Sequence, residues 1–134
     1  MITLEKAKKA LEASEKKAQE LGVAVTTTVV DEHGVTLAIS RMDNAIVVSP
    51  KFSYTKAYTS AVLGMPSGAV QGFAGEGKPY FGINTLFGGE LTTMAGGLPV
   101  TMHGKVVGAV GVGGSQDPNQ DAQCAQEAVK VLES

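Results

Sequence analysis

The chain has 134 residues, 43% hydrophobic and 18% charged, with a formal net charge of -2. That profile describes one globular domain over residues 1–134, long enough to bury a core without disulfides or a structural metal. The charge balance gives nucleic acid or an anionic membrane no electrostatic hold, and no apolar run approaches the ~20 residues of a membrane span. Cys124 stands alone, which excludes an internal disulfide and a Cys-rich metal site. The N-terminus mixes Lys and Glu with Leu and Ala, unlike a signal peptide, so the expected location is the cytoplasm.

Thr3 has the chemistry of an N-cap for a helix whose apolar stripe reads Leu4, Ala7, Leu11, Ala18 and Leu21, with Ser14 in the same stripe and Gly22 as stop signal. From Val23 to Val30 the residues become β-branched, and after Asp31-Glu32-His33-Gly34 the run Val35 to Met42 alternates with period two. This predicts a β-hairpin, with Val35, Leu37 and Ile39 on a deeply buried face. Ser49-Pro50 opens a second helix that runs to about Leu63 and ends at Gly64-Met65-Pro66. Its small residues Ala57, Ser60 and Ala61 suit close packing on a sheet.

Residues 67–90 are the least regular part, with a short helix expected at 69–73. Phe73, Tyr80, Phe81 and Phe87 argue against disorder there, and an ordered irregular stretch of this length is usually functional. Strand character returns at Glu90 to Met94, at Pro99 to His103 and, after Gly104-Lys105, at Val106 to Val112. Nine of the 17 glycines fall between Gly88 and Gly114, which predicts strands approached closely by a helix or a ligand. Gly97, Gly108 and Gly111 are the positions expected to refuse a larger side chain. Asp117-Pro118-Asn119-Gln120 then opens a last helix to Leu132. Adjacent strands joined by short turns favour an antiparallel sheet, hence an α+β fold.

No strong catalytic signature is present. Gly111-Val112-Gly113-Gly114 lacks the Lys-Ser/Thr ending of a phosphate loop, and no serine sits in a G-x-S-x-G elbow. His33 and His103 read as exposed turn residues and Cys124 as a buried, inert thiol. The notable polar residues are those attached to apolar elements: Asp31 and Arg41 at strand ends, Asp43 beyond, and Lys56 inside the second helix. They either line a site or pair structurally, with Asp31 or Asp43 on Arg41 and Lys56 reaching outward to water.

The ordered set Val29-Val30-Asp31-x-x-Gly34, Ser40-Arg41-Met42-Asp43, Lys56-Ala57, Gly96-Gly97-Leu98-Pro99-Val100, Gly104-x-Val106-x-Gly108-x-Val110-Gly111-Val112 and Gln120-Asp121-x-x-Cys124-Ala125 resembles the GlcG/HbpS family. That family includes haem-binding or haem-degrading-type domains and the C-terminal domain of PduO-type cobalamin adenosyltransferases. The resemblance implies a profilin-like α+β domain, with a central antiparallel sheet of about five strands flanked by helices, assembled as a homo-oligomer. It also implies a planar anionic ligand, haem or a corrinoid, near Asp31, Arg41, Lys56, Tyr80, Gly97 and Pro99. No histidine precedes His33, so no iron ligand carries over onto the first helix.

Three functions remain open at this level: a tetrapyrrole binder, a small enzyme using Lys56 or Tyr80 for proton transfer beside Arg41, and a ligand-free scaffold. Only the first two need a concave pocket with converging polar groups.

Overall fold

The computed structural model describes residues 1–134. Helix α1 (Leu4–Leu21) starts at Thr3, whose hydroxyl accepts from the Lys6 amide at 3.1 Å, and stops at Gly22, which takes the left-handed φ of 75° that a helix-ending residue requires. Strands β1 (Thr26–Asp31) and β2 (Thr36–Arg41) form the expected hairpin. Helix α2 (Ser49–Leu63) carries Pro50 in its first turn and ends at Gly64. Two short 3-10 segments, Ser67–Val70 and Ile83–Gly89, the latter broken by a kink over residues 86–88, flank the single helical turn α3 (Gln71–Ala74). Strands β3 (Gly97–Met102) and β4 (Lys105–Gly113) follow, and α4 (Pro118–Glu133) is capped by the Asp117 carboxylate on the Asn119 amide at 2.9 Å. No helix is long and apolar enough to cross a membrane.

The sheet is antiparallel throughout, in the order β2-β1-β4-β3. His103 and Gly104, both at positive φ (53° and 77°), make the two-residue turn between β3 and β4. Helices α1 and α4 cover one face and α2 the other. Successive residues of β1 alternate between those faces: Thr27 bonds Ser14 of α1 at 2.7 Å, whereas Thr26 and Thr28 bond Ser49 and Ser53 of α2 at 2.8 and 2.6 Å. Three consecutive threonines are thereby buried with every hydroxyl partnered, which removes the cost of burying them.

Three expectations are corrected. The sheet has four strands rather than five, because the backbone of 90–94 is engaged by side chains instead of a ladder: Thr59 Oγ1 accepts from the Thr92 amide at 2.9 Å, and Ser67 Oγ donates to the Met94 carbonyl at 2.7 Å. Leu4 is exposed and Ala10 takes its place in the buried stripe of α1, a rotation of the packed face. Val35 and Ile39 are also exposed, since β2 is an edge strand that the helices cover incompletely.

Candidate functional site

Of the concave regions that border α2, two hold residues singled out from the sequence. The larger is a groove of about 640 Å³ along Leu63, Tyr80, Phe81, Ile83, Phe87 and Leu91, built largely from the irregular stretch between α3 and β3. Its wall is apolar and aromatic, and its rim is open: Phe81 is 67% and Phe87 65% exposed. Phe87 is held at φ 52°, ψ 40°, followed by Gly88 at φ 69°. A left-handed bulky residue costs roughly 1–2 kcal/mol, and such strain concentrates where a surface is shaped for binding. Tyr80 packs against Phe73 with ring centroids 5.9 Å apart and planes tilted at 45°, and its amide donates to the Phe73 carbonyl at 2.8 Å, so the aromatic segment is fastened to α3.

The smaller region is a cleft of about 160 Å³ between α2 and the start of α4, lined by Ile46, Phe52, Lys56, Met94, Gly114 and Asp121 among others. Lys56 is 1% exposed and Asp121 3%. The Lys56 ammonium donates to Asp121 Oδ2 at 3.0 Å and to the Val112 carbonyl at 2.9 Å, and the Phe52 ring centroid lies 5.9 Å from Nζ. Asp121 Oδ1 accepts from the Ser115 amide at 3.1 Å, which fixes the carboxylate toward the amine. Burial pushes the Lys56 amine below the ordinary lysine value, and the Asp121 charge opposes that shift without cancelling it. The outward-reaching Lys56 weighed from the sequence is therefore not what forms.

Two glycines let the backbone pack closely around Lys56. A Cβ on Gly96 would stand 2.8 Å from Lys56 Nζ, and one on Gly97 would collide with the Lys56 carbonyl. Gly97 also donates its amide to Ser67 Oγ at 2.8 Å. Pro99 lies mid-way along β3, an edge strand, where a missing amide donor is tolerated.

The remaining residues singled out from the sequence stand elsewhere. Asp31 clasps the β1–β2 turn, accepting from the His33 and Val35 amides at 2.8 and 3.0 Å. The β1–β4 register sets Asp31 opposite Gly108 and Thr26 opposite Gly113, so Asp31 is about 17 Å along the strand from the end that carries Val112. Arg41 donates to the Ala45 carbonyl at 2.7 Å and lines a third, polar cleft with Glu15, Gln19 and Asp43. Neither Asp31 nor Asp43 forms an ion pair with it. Arg41, Lys56 and Tyr80 thus line three separate surfaces rather than one pocket.

Asp121 is the residue that sequence reasoning missed. The signal was present: Asp121, Cys124, Ala125 and Ala128 share one helical face, and a carboxylate on an otherwise apolar stripe needs a buried cation. Lys56, on the face of α2 that also buries Ser53, Ala57 and Ser60, is that cation.

A family model described as "Haem degrading protein HbpS-like" matches residues 2–130. An uncharacterized 15.0 kDa protein from the dhaT-dhaS intergenic region of Citrobacter freundii is 40% identical over 128 residues, covering 96% of this chain and 89% of that one. The crystal structure of HbpS superimposes with a TM-score of 0.91 at 30% identity, covering 99% of this chain and 91% of the other. PduOC, in a structure of its haem complex, superimposes at 0.92 with 24% identity and 99% coverage of both chains, a likeness of fold. With the family model spanning nearly every element and the fold matching HbpS throughout, the chain belongs to the HbpS-like family.

Proposed function

We propose that the protein binds a planar tetrapyrrole, haem or a corrinoid, in the aromatic groove along Leu63, Tyr80, Phe81 and Phe87. The observation that carries this reading is the groove itself: its volume of about 640 Å³ falls within the range of small-molecule sites, and its walls are flat-faced and apolar. The family description and the haem complex of PduOC support the same ligand class. The residues present fit the group in a particular way. His33 and His103 sit in the two hairpin turns and do not line the groove, so the Tyr80 phenol is the donor that would hold a tetrapyrrole's metal there. Arg41 and Lys56, which the resemblance places near the anionic ligand, line other clefts.

The open aromatic rim supports a second element of the proposal, a homo-oligomer in which another copy of the chain covers Phe81 and Phe87. A contact of that kind excludes water from a bound ring.

Haemin titration followed by absorption spectroscopy tests the reading. Wild type gives a saturable spectral change, and Tyr80→Phe, which keeps the ring and removes the oxygen, weakens binding about tenfold. No saturable change in wild type rejects the proposal; binding indifferent to Tyr80→Phe rejects the role of its oxygen. Native mass spectrometry of the unsupplemented protein reports the subunit number, and a monomer rejects the oligomer.

A further inference from the structure

The Lys56–Asp121 pair has more around it than a strut requires. An ion pair that only fastened α2 to α4 would be served by close packing on every side. Here Lys56 lines a cleft of about 160 Å³. An ammonium carries three donor hydrogens, and two are engaged, by Asp121 and by the Val112 carbonyl; the third has no acceptor in the protein. A Cβ on Gly96 would stand 2.8 Å from Nζ, so the glycine lets the amine reach the Val112 carbonyl. The walls contributed by Ile46, Phe52 and Met94 are apolar.

We propose that Lys56 is an imine-forming amine and that the cleft admits a small aliphatic aldehyde, with Asp121 as the proton carrier. The step uses only groups that are in place. Asp121 Oδ2 takes a proton from the ammonium, and the freed lone pair on Nζ forms a bond to the carbonyl carbon. The π pair moves to the carbonyl oxygen, which takes the proton back from Asp121. The nitrogen, now bonded to carbon and positively charged, gives a second proton to Asp121, which passes it to the hydroxyl; the hydroxyl leaves as water as the freed nitrogen lone pair forms the C=N bond. The balance is ammonium plus aldehyde giving protonated imine plus one water, without oxidant or reductant. The Asp121 carboxylate, anchored by the Ser115 amide, then stands beside the iminium charge. Burial, which favours the neutral amine, acts in the same direction. This site is separate from the aromatic groove and does not rest on tetrapyrrole binding.

The test is reductive trapping of the intact protein with n-butanal and sodium cyanoborohydride, followed by peptide mapping of butylated lysines over time. Lys51, exposed on the same helix, and Lys105, exposed at the start of β4, are internal references. The expected result is that Lys56, although buried, acquires a butyl group about tenfold faster than either reference, as an amine with more of its free form would. If Lys51 and Lys105 are modified while Lys56 stays protected, the pair is a strut and the proposal falls. Asp121→Asn is expected to slow labelling at Lys56 and leave Lys51 unchanged; an unaltered Lys56 rate in folded variant removes Asp121 from the chemistry. Should that variant fail to fold, the wild-type ratio of Lys56 to Lys51 labelling decides by itself.

Discussion

On one face of the sheet, α1 and α4 bury a cluster of 14 residues, almost all aliphatic, that includes Ile2, Leu11, Val29, Val110 and Leu132. On the other face the core beneath α2 is only Val30, Ala57, Ala61 and Ala109, joined by the Thr26–Ser49 and Thr28–Ser53 hydroxyl pairs. The first face gains stability from apolar area, which is non-directional and tolerates small shifts of the helices. The second gains it from close approach: a Cβ on Gly111 would collide with the Ser53 carbonyl and the Ala57 amide, so the α2 backbone rests on the strand itself. Hydroxyl pairs and backbone contacts have fixed geometry. That is the face on which Lys56 is positioned, and position is what a buried amine beside a cleft requires.

The sharpest way to break this contrast is Gly111→Val. Overpacking that side chains can absorb costs ~1–3 kcal/mol. Here backbone atoms of α2 are the obstacle and cannot rotate away, so the expected outcome is loss of the folded state, read by circular dichroism. A variant melting like wild type would show that α2 is free to lift off the sheet.

The next effect concerns the charge pair. Lys56→Met leaves the Asp121 carboxylate buried and unpaired, for an expected loss of about 3–5 kcal/mol in denaturant unfolding. Lys56→Met combined with Asp121→Leu recovers most of that loss, because a neutral, apolar pair has no desolvation cost. A double variant no better than the single one would assign the damage to lost shape rather than stranded charge.

The smallest effect sits on the aliphatic face. Burial, with a contribution from the Asp121 charge, pushes the Cys124 thiol up from 9.0 to about 11. The folded state therefore favours the neutral thiol. Its contribution to stability is complete below pH 9 and is lost as pH rises through about 11. Wild type should lose more stability than Cys124→Ala over that interval, measured as the shift in denaturant midpoint. Equal losses would mean that the thiol is hydrated in the folded protein.

Much of the fold was legible because its signals are local. Thr3, Gly22, Pro50, Gly64 and Asp117 mark helix ends through capping chemistry that needs no distant partner. The β1–β2 and β3–β4 hairpins follow from β-branched runs broken by Gly34 and by His103-Gly104. The expectation for Gly97, Gly108 and Gly111 holds for a tertiary reason: each has a backbone carbonyl of another element where a side chain would begin. The segment 90–94 misled because strand propensity describes a residue's fit to a pleated surface, while the partners that claim its backbone, Thr59 and Ser67, lie 30 or so residues away in sequence.

The site was less legible. Lys56 and Tyr80 each stood out by residue type, and each lines a cleft, but not the same one. Asp31 and Arg41 stood out equally and serve a turn and a loop carbonyl, respectively. A charged residue at a strand end looks alike in sequence whether its partner is a ligand or the next turn.

Sequence by itself determined the elements, their order and the antiparallel hairpins, since these depend on φ, on capping and on the side-chain period. Only the tertiary structure decided which charges meet. Lys56 and Asp121 are 65 residues apart, and they become a pair because α2 crosses above β4 just where α4 begins. It likewise decided that residues 79–91 fold back into an apolar groove beside Leu63, a shape assembled from glycine turns and one left-handed phenylalanine that no periodicity encodes.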